Sequence, residues 1–364
     1  MRFETTRVGR RASSGRGPDR VRPTDGLRPL NWRVVARRAV LAALALTAGV
    51  ASAPAARATG AATSARPRVS TRGERAPSGP GLSPPQRFTV QANGHPLAVW
   101  ARIPLTPRGA VLLIHGRTWS GRPDFDLDVP GLHRSVLEAL ETRGFAAYAL
   151  DLRGYGETPR DGTGWITPRR AAADVLAVLT WLTARHPALP HPALLGWSTG
   201  AAVAHLTAAT SPTRLSSLIL AGYAPDPKGV IAPVAGPAVP LKQRNTRAGA
   251  ASDFISPKVT PPAVVRAFVD TAIRTDPILA DWRNEEQFLC DSSRVSVPTL
   301  VMYGERDPNI DVRDAGNFFA GLATLDKQLV VFPGADHCAH LENTHDAWVS
   351  AVVTFLNRYA VSGR

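Results

Sequence analysis

The chain has 364 residues, of which 44% are hydrophobic, and this is enough for one large α/β domain with additions or for two domains. The formal net charge is +14, but 16 of the 43 Lys and Arg and only 4 of the 29 Asp and Glu lie in residues 1–86. Residues 87–364 carry 27 basic and 25 acidic side chains, which argues against a nucleic-acid partner for the folded part. The 2 Cys and 9 His show no spacing typical of metal ligands, so we expect no metal and no cofactor.

Residues 1–58 combine a basic segment with an apolar run. The run over 39–53 carries no charge, follows Arg37-Arg38 and leads into small residues, a pattern typical of an export signal and similar to the twin-arginine type. The run is shorter than the roughly 20 residues of a membrane span, and an uncleaved membrane anchor is the alternative. We therefore expect a secreted or cell-envelope protein, in membrane contact only if the signal is not cleaved. Residues 59–86 predict a flexible linker.

The ordered part is expected to begin near Arg87 with a β-hairpin, because Asn93-Gly94 suits the positive φ angles of a tight turn. Apolar runs and helix-like segments then alternate, which predicts a mostly parallel sheet covered on both faces. Strands are predicted at 88–92, 96–103, 109–114, 145–150, 192–197, 215–220, 299–303 and 327–332, and helices at 131–143, 167–186, 199–210, 311–322 and 343–359. The predicted core is 87–222 with 295–360.

The alternation is interrupted between residues 223 and 294. This stretch is first rich in Pro and then contains short helix-like pieces such as 262–274. We interpret it as a mainly helical cap that lies over the site and selects the substrate.

The sequence G-W-S-T-G at 196–200 lies between a predicted strand and a predicted helix. A Ser between two Gly suits a sharp strand-to-helix turn, which exposes the Ser198 hydroxyl and directs free helix N–H groups towards the reaction. A serine nucleophile needs a base and an acid that orients the base. Because sites in parallel sheets form beyond the carboxyl ends of strands, Asp307 and His337, which follow the last two predicted strands, are the candidates.

Five motifs together resemble the α/β-hydrolase family, and the resemblance covers residues 88–359. They are H-G-R-T-W, D-L-R-G-Y-G, G-W-S-T-G, Y-G-E-R-D-P and P-G-A-D-H, at 115–119, 151–156, 196–200, 303–308 and 333–337. The resemblance implies a doubly wound sheet of the α/β-hydrolase type. It also implies that Ser198 is the nucleophile, His337 the general base and then acid, and Asp307 the orienting carboxylate.

The resemblance further implies an oxyanion hole made of the backbone N–H groups of Arg117 and Thr199. Glu305, Asp226 and His340 remain alternatives for the acid and the base. His115 is expected to hold the oxyanion turn by hydrogen bonds, and Asp151 and Arg153 to be structural. Three aromatic residues are candidates to line the substrate pocket: Trp119, Trp197 and Tyr223. For the two tryptophans, packing in the core without contact to substrate is the alternative.

The two cysteines are Cys290, at the end of the cap, and Cys338, beside the predicted base. An oxidising compartment would allow a disulfide between them, and two free thiols are the alternative.

These patterns predict an exported serine hydrolase that cleaves a small-molecule or lipid-like carboxylic ester through an acyl-enzyme. The alternatives are a peptidase, a thioesterase or a carbon–carbon bond hydrolase with the same triad, or a non-catalytic binding protein. A Ser at position 198 disfavours the dehalogenase and epoxide-hydrolase branches, which use Asp there. The sequence does not indicate an oligomeric state.

Overall fold

The computed structural model describes residues 84–225, 239–256, 258–283 and 291–361. Its strands are β1 (Gln86–Ala92), β2 (His95–Arg102), β3 (Gly109–Ile114), β4 (Asp126–Val129), β5 (Leu132–Ser135), β6 (Phe145–Leu150), β7 (Ala193–Trp197), β8 (Leu218–Ala221), β9 (Thr299–Gly304) and β10 (Lys327–Phe332). Eight of these form one sheet in the order β1-β2-β6-β3-β7-β8-β9-β10. β2 pairs antiparallel with β1 and β6, and the other neighbours are parallel. The predicted mostly parallel sheet is confirmed.

Helices lie on both faces of this sheet. They are α1 (Gly121–Phe125), α2 (Val136–Glu141), α3 (Pro168–Arg185), α4 (Thr199–Thr210), α5 (Arg247–Ala251), α6 (Pro262–Thr275), α7 (Val312–Gly321) and α8 (His345–Leu356), with 3₁₀ turns at Pro212–Arg214 and Ser292–Arg294. One apolar cluster joins the sheet to α3, α4 and α7, and a second joins its other face to α2, α6 and α8. The doubly wound arrangement is therefore confirmed. In the described residues no helix is both long enough and apolar enough to cross a membrane.

Local signals fixed the ends of two elements as predicted. Asn93 and Gly94 have φ angles of 51° and 77° and close the hairpin between β1 and β2. The Thr167 hydroxyl accepts a hydrogen bond from the amide of Arg170 at 3.3 Å, and Pro168 occupies the first turn of α3.

The prediction of a helix over 131–143 is wrong for residues 131–135. Gly131 has a φ of 80° and closes a two-stranded hairpin of β4 and β5, so the helix begins only at Val136. The Ser135 hydroxyl caps this helix through the amide of Glu138 and also donates to Asp126 at 2.6 Å. A buried ion pair of 2.6 Å between Arg102 and Asp126 holds the hairpin against β2, a contact that apolar spacing does not reveal.

The described part of the cap packs on the core through the apolar face of α6 and through polar contacts. Trp282 donates its indole N–H to the Tyr155 hydroxyl at 2.7 Å. Asp281 binds the guanidinium of Arg160 at 2.6 Å. The backbone amide of Ser256 donates to Asp336 at 2.7 Å, beside His337. The insertion therefore reaches the loops at the carboxyl end of the sheet, where the predicted site residues lie.

Candidate active site

Ser198 lies at the turn between β7 and α4 in a strained backbone conformation, with φ 55° and ψ −121°. Its amide donates to the carbonyl of Ala221 at 2.9 Å, which ties the turn to β8. A Cβ at Gly196 would overlap the backbone of the helix, and a Cβ at Gly200 would overlap the carbonyl oxygens at the end of β3. The two glycines are therefore required by close approach of backbone to backbone. The predicted sharp turn at Ser198 is present.

The structure brings the three predicted side chains into one hydrogen-bonded chain. The Nε2 atom of His337 lies 3.0 Å from the Oγ atom of Ser198, and its Nδ1 atom lies 2.8 Å from Oδ2 of Asp307. A carboxylate only accepts hydrogen bonds, so Nδ1 carries a proton and Nε2 of the neutral ring is free to accept one from the serine. The second oxygen of Asp307 accepts from the amide of Asn309 at 2.9 Å, which fixes the carboxylate.

The surroundings of His337 favour its charged form. Burial is the largest single influence and lowers its pKa, but the charge and hydrogen bond of Asp307 and the charges of neighbouring carboxylates together outweigh burial, and the net pKa is raised. The carboxylates of Asp253 and Asp336 add to this effect. An imidazolium formed during a reaction would therefore be stabilised.

His115 holds the turn that carries Arg117. The amide of Leu152 donates to Nε2 of His115 at 3.1 Å, so Nδ1 carries the proton and donates to the carbonyl of Gly116 at 2.8 Å. Burial lowers the pKa of His115 to about 4, opposed by the bond to Gly116, and the ring is neutral at pH 7. Fixing the carbonyl of Gly116 also fixes the direction of the Arg117 N–H in the same trans peptide. A Cβ on Gly116 would lie 3.3 Å from the Ser198 side chain, so this turn lies against the serine.

The two amides predicted to form the oxyanion hole lie at the start of α4 and in the turn after β3. The Thr199 amide is the first of α4, where the backbone N–H groups have no partner within the helix and the positive end of the helix dipole lies. Among the residues that the structure describes, neither the Thr199 amide nor the Arg117 amide donates a hydrogen bond. Both are therefore free to bind an oxyanion.

The three predicted pocket residues are all buried. Trp197 is 2% exposed, and its indole donates to the backbone carbonyl of His337 at 3.0 Å. Trp119 is also 2% exposed and stacks edge-on against Phe268 of the cap. Tyr223 packs against His205 and Phe318 between α4 and α7. These positions give the two tryptophans a role in holding the site together, and they place the Tyr223 ring in the core.

The alternative acid and base candidates lie elsewhere or outside the described residues. The carboxylate of Glu305 accepts from the amide of Gly334 at 2.8 Å. The buried ring of His340 packs on Trp197 at 4.7 Å, and burial lowers its pKa to about 3. Asp226 lies outside the described residues.

Cys338 is a buried free thiol whose sulfur lies 3.3 Å from the carbonyl oxygen of Asp253. Cys290 lies outside the described residues, so the disulfide with Cys338 stays a prediction. In the four described ranges no three His, Cys, Asp or Glu side chains are grouped as metal ligands.

Sequence reasoning missed two carboxylates of the cap that contact the site loops. Asp276 accepts from the amide and the hydroxyl of Ser120 at 2.9 and 2.7 Å, and from the amide of Gly156 at 2.8 Å. Asp253 accepts from the indole of Trp119 at 2.6 Å. Neither residue follows a strand of the sheet. A search for polar residues at the carboxyl ends of strands, which selected Asp307, therefore does not find them.

Comparison with known proteins gives the family and the fold of the chain. The sequence model of the Hydrolase_4 family, described as serine aminopeptidase, S33, matches residues 106–344. A monoacylglycerol lipase from Mycolicibacterium smegmatis is 26% identical over 253 residues, which cover 64% of this chain and 81% of the relative.

Solved structures with the same fold include a carboxylesterase, CesB, from Bacillus subtilis. It is 18% identical with a TM-score of 0.55, covering 75% of this chain and 91% of that one. An epoxide hydrolase from Vigna radiata is 15% identical with a TM-score of 0.54, covering 76% of this chain and 98% of that one. At such identities the structures establish the fold and not the reaction. The family match spans most of the described core, and the chain therefore belongs to the serine aminopeptidase S33 family of α/β hydrolases.

Proposed function

We propose that the protein is a serine hydrolase that cleaves carboxylic esters, with Ser198 as nucleophile, His337 as general base and acid, and Asp307 as the orienting carboxylate. The observation that carries this proposal is the hydrogen-bonded chain from Asp307 through His337 to Ser198, at 2.8 and 3.0 Å. The strained turn at Ser198 and the free amide at the start of α4 support it.

The mechanism follows from these contacts. Nε2 of His337 accepts the Ser198 proton while Oγ attacks the ester carbonyl carbon, and the amides of Arg117 and Thr199 donate to the oxyanion. The imidazolium, stabilised by Asp307, then protonates the leaving alcohol, which leaves an acyl-enzyme on Ser198. Water, deprotonated by His337, attacks this acyl group, and collapse of the second oxyanion releases the acid and restores Ser198.

A small-molecule or lipid-like ester is the proposed substrate. The relative from Mycolicibacterium smegmatis is a monoacylglycerol lipase, and the carboxylesterase from Bacillus subtilis shares the fold. The epoxide hydrolase shares the fold as well, but a serine at position 198 suits acyl transfer, whereas the epoxide-hydrolase branch attacks with Asp.

Short p-nitrophenyl esters and a fluorophosphonate probe test the proposal. The wild-type protein is expected to hydrolyse the esters and to be labelled at Ser198, and Ser198→Ala to lose both properties. Ser211→Ala is a matched control, because Ser211 ends α4 at the opposite end from Ser198. Wild-type protein that is folded but neither active nor labelled would contradict the proposal.

A second candidate is an aminopeptidase, which the description of the matching family favours. The same three residues would then attack an amide, with the amine protonated by His337. Hydrolysis of aminoacyl p-nitroanilides together with inactivity on esters would favour this reading over the first.

We also propose that the protein is exported through the signal at residues 39–53, which lie outside the described residues. The support is the basic flank, the uncharged apolar run and the small residues that follow. Expression of the full chain, fractionation and N-terminal sequencing test this proposal. A new N-terminus directly after Ala55 or Ala58, outside the cytoplasm, is expected, and an intact N-terminus in the cytoplasm would contradict the proposal.

A further inference from the structure

The side chain of Trp197, the residue directly before the proposed nucleophile, lies between two loops of the site. Its indole N–H donates to the backbone carbonyl oxygen of His337 at 3.0 Å. The rings of Trp197 and His337 are also in contact, with their centroids 5.1 Å apart and their planes at 40°. Trp197 is only 2% exposed. The buried indole therefore contacts both the backbone and the ring of the proposed base.

The opposite side of the same indole lies against the oxyanion turn. A Cβ added to Gly116 would lie 2.6 Å from Cζ3 and 2.7 Å from Cε3 of Trp197. These two carbons belong to the six-membered ring, whereas the N–H that binds the His337 loop belongs to the five-membered ring. The backbone of Gly116 therefore touches the indole with no space for a methyl group, directly before the proposed oxyanion donor Arg117.

Two further contacts enclose the indole. A Cβ on Gly222, directly after β8, would lie 3.1 Å from Nε1 of Trp197 and 3.3 Å from Cε1 of His337. The buried ring of His340 packs on the indole with the ring centroids 4.7 Å apart. Because closely packed side chains transmit displacements to their neighbours, a rigid ring enclosed in this way keeps a fixed distance between the loops on its two sides.

We propose that Trp197 is a positioning residue, whose planar side chain sets the distance between the His337 loop and the oxyanion turn. His337 and the amide of Arg117 then act on the same carbonyl group at Ser198. This inference rests on the ester hydrolase function proposed above. Both groups must lie within about 3 Å of atoms of one tetrahedral intermediate, and a misplacement of about 1 Å can cost on the order of 100-fold in rate. The G-x-S-x-G pattern leaves the position before the serine open, so the motif alone does not assign this role.

The contact with the His337 loop is tested by Trp197→Phe, which keeps an aromatic ring and removes the donor to the His337 carbonyl. With p-nitrophenyl butyrate, kcat is expected to fall by about 10-fold while KM changes little, because the ester still binds and only the alignment of the base is lost. The rate of fluorophosphonate labelling at Ser198 should fall in parallel, since labelling uses the same base and oxyanion donors. Urea denaturation measures the stability of each variant separately.

Trp348→Phe is the matched control. Trp348 is a second tryptophan that is 2% exposed, and it packs on the same His340 ring with centroids 5.8 Å apart. It lies in α8, whereas the hydrogen bond to the His337 carbonyl comes from Trp197. Trp348→Phe removes the same volume from the core and is expected to lower stability while keeping the wild-type kcat.

The contact with the oxyanion turn is tested by a double-mutant cycle. Gly116→Ala places a methyl group against the six-membered ring of Trp197 and is expected to lower kcat by about 100-fold. Trp197→Leu removes both ring atoms that this methyl group meets, and Trp197→His, which also lacks the six-membered ring, serves as a second background. In either background Gly116→Ala should lower kcat by about 10-fold or less, so the effects are not additive. The remaining loss comes from Cβ of Ser198, which is 3.3 Å from the added methyl group.

The outcomes separate this inference from the proposed function. Wild-type protein that cleaves no ester would contradict the ester hydrolase function. An active wild type with an unchanged kcat in Trp197→Phe, or an equal cost of Gly116→Ala in all backgrounds, would overturn only the role of Trp197. A loss of kcat in Trp348→Phe as large as that in Trp197→Phe would overturn it as well, because a general loss of packing would then be the cause.

Discussion

His337 must be neutral to accept the proton of Ser198, and its surroundings favour the charged form. Burial lowers the pKa of His337, but the Asp307 carboxylate and the carboxylates of Asp253 and Asp336 together outweigh burial, so the net pKa is raised. As the pH falls through this raised pKa the base becomes protonated, so activity is lost at a higher pH than for an ordinary imidazole. The acidic limb of the kcat/KM profile is therefore expected to have its midpoint above the ordinary value of about 6.5.

Asp307→Asn tests the cause of that shift. Without the carboxylate, burial remains and the limb should move to lower pH, while kcat falls by on the order of 10³- to 10⁴-fold. Measured pH profiles of the wild type and the variant check both effects. A wild-type midpoint at or below the ordinary value of about 6.5, or one that stays in place in Asp307→Asn, would contradict this account of His337.

His115 offers a second prediction, since its two nitrogens have separate partners. Nδ1 donates to Gly116, next to the oxyanion donor, and Nε2 accepts from Leu152. The amide nitrogen of Asn can reach where Nδ1 lies, whereas a Gln amide reaches where Nε2 lies. His115→Asn is therefore expected to retain more kcat than His115→Gln, with His115→Ala losing about 10- to 100-fold and KM changing little. Equal kcat in all three variants would show that the bond to Gly116 does not position the oxyanion turn.

At the scale of elements, the turn from β7 to α4 depends on backbone packing with no room for a methyl group. A Cβ at Gly200 would overlap the carbonyl oxygens of Ile114 and His115, which are backbone atoms that cannot rotate away. Gly200→Ala is expected to lower the free energy of unfolding by about 1–3 kcal/mol and to displace Ser198. Urea denaturation and ester hydrolysis measure the two effects.

Gly316 is the matched control for that change. It lies in the middle of α7 with no heavy atom within 4 Å of an added Cβ. Gly316→Ala is expected to raise the free energy of unfolding by about 0.5–1 kcal/mol, because Ala favours helix, and to leave activity unchanged. If both substitutions had the same effect, close packing at Gly200 would not be the reason for its glycine.

The elements that the sequence predicts well are those with a local cause. β3 and β6 are continuous apolar runs because helices cover both faces of the sheet at these central strands. The segment 131–143 misled the prediction because Leu132, Val136 and Leu140 have helical spacing. The Arg102–Asp126 ion pair and the turn at Gly131 make its first residues a strand, and both depend on contacts distant in sequence or on a backbone angle.

The site residues likewise divide into those that local sequence predicts and those that only tertiary contacts reveal. Ser198, Asp307 and His337 follow strands whose ends meet at one edge of the sheet, so strand ends and chain order, together with the motifs, select them as candidates. Asp253 and Asp276 reach the site from the cap, where no regular alternation fixes their position. Their partners, Trp119 and Ser120, are more than 130 residues away in the chain, and only the tertiary structure reveals the contacts.

At the scale of the whole molecule, buried ionisable groups impose opposite pH dependences on stability. Burial lowers the pKa of His115 and His205 to about 4. The stability that their buried neutral rings contribute is therefore lost as the pH falls from 6.5 towards 4. Burial raises the pKa of Asp151 to about 7, so the stability associated with its protonated form is present below 3.8 and lost as the pH rises through 7. The two classes therefore oppose each other between pH 4 and pH 7, where we expect the stability of the fold to change least.

Above pH 7, the effect of Glu342 on the pH dependence of stability can be measured apart from the titrations of His115, His205 and Asp151. Burial, reinforced by the neighbouring Asp336, raises the pKa of Glu342 to about 9, and its two oxygens accept from the amides of Asp336 and Cys338. The folded protein keeps this proton until about pH 9, whereas the unfolded chain loses it near 4.5, so the stability it contributes falls as the pH rises between these values. The slope is about 1.4 kcal/mol per pH unit as an order of magnitude.

Glu342→Gln removes the titrating carboxyl group. The variant also changes the hydrogen bonds at this position, but the effect of that change on stability does not depend on pH. The free energy of unfolding of the variant minus that of the wild type should therefore increase from pH 5 to pH 9 and level off above pH 9. Urea denaturation at pH 4, 6, 7.5, 9 and 10 measures this difference, and an equal change in both proteins from pH 5 to pH 9 would refute it. Because Glu342 binds the amides on both sides of His337, the variant should also reduce ester hydrolysis at every pH where it remains folded.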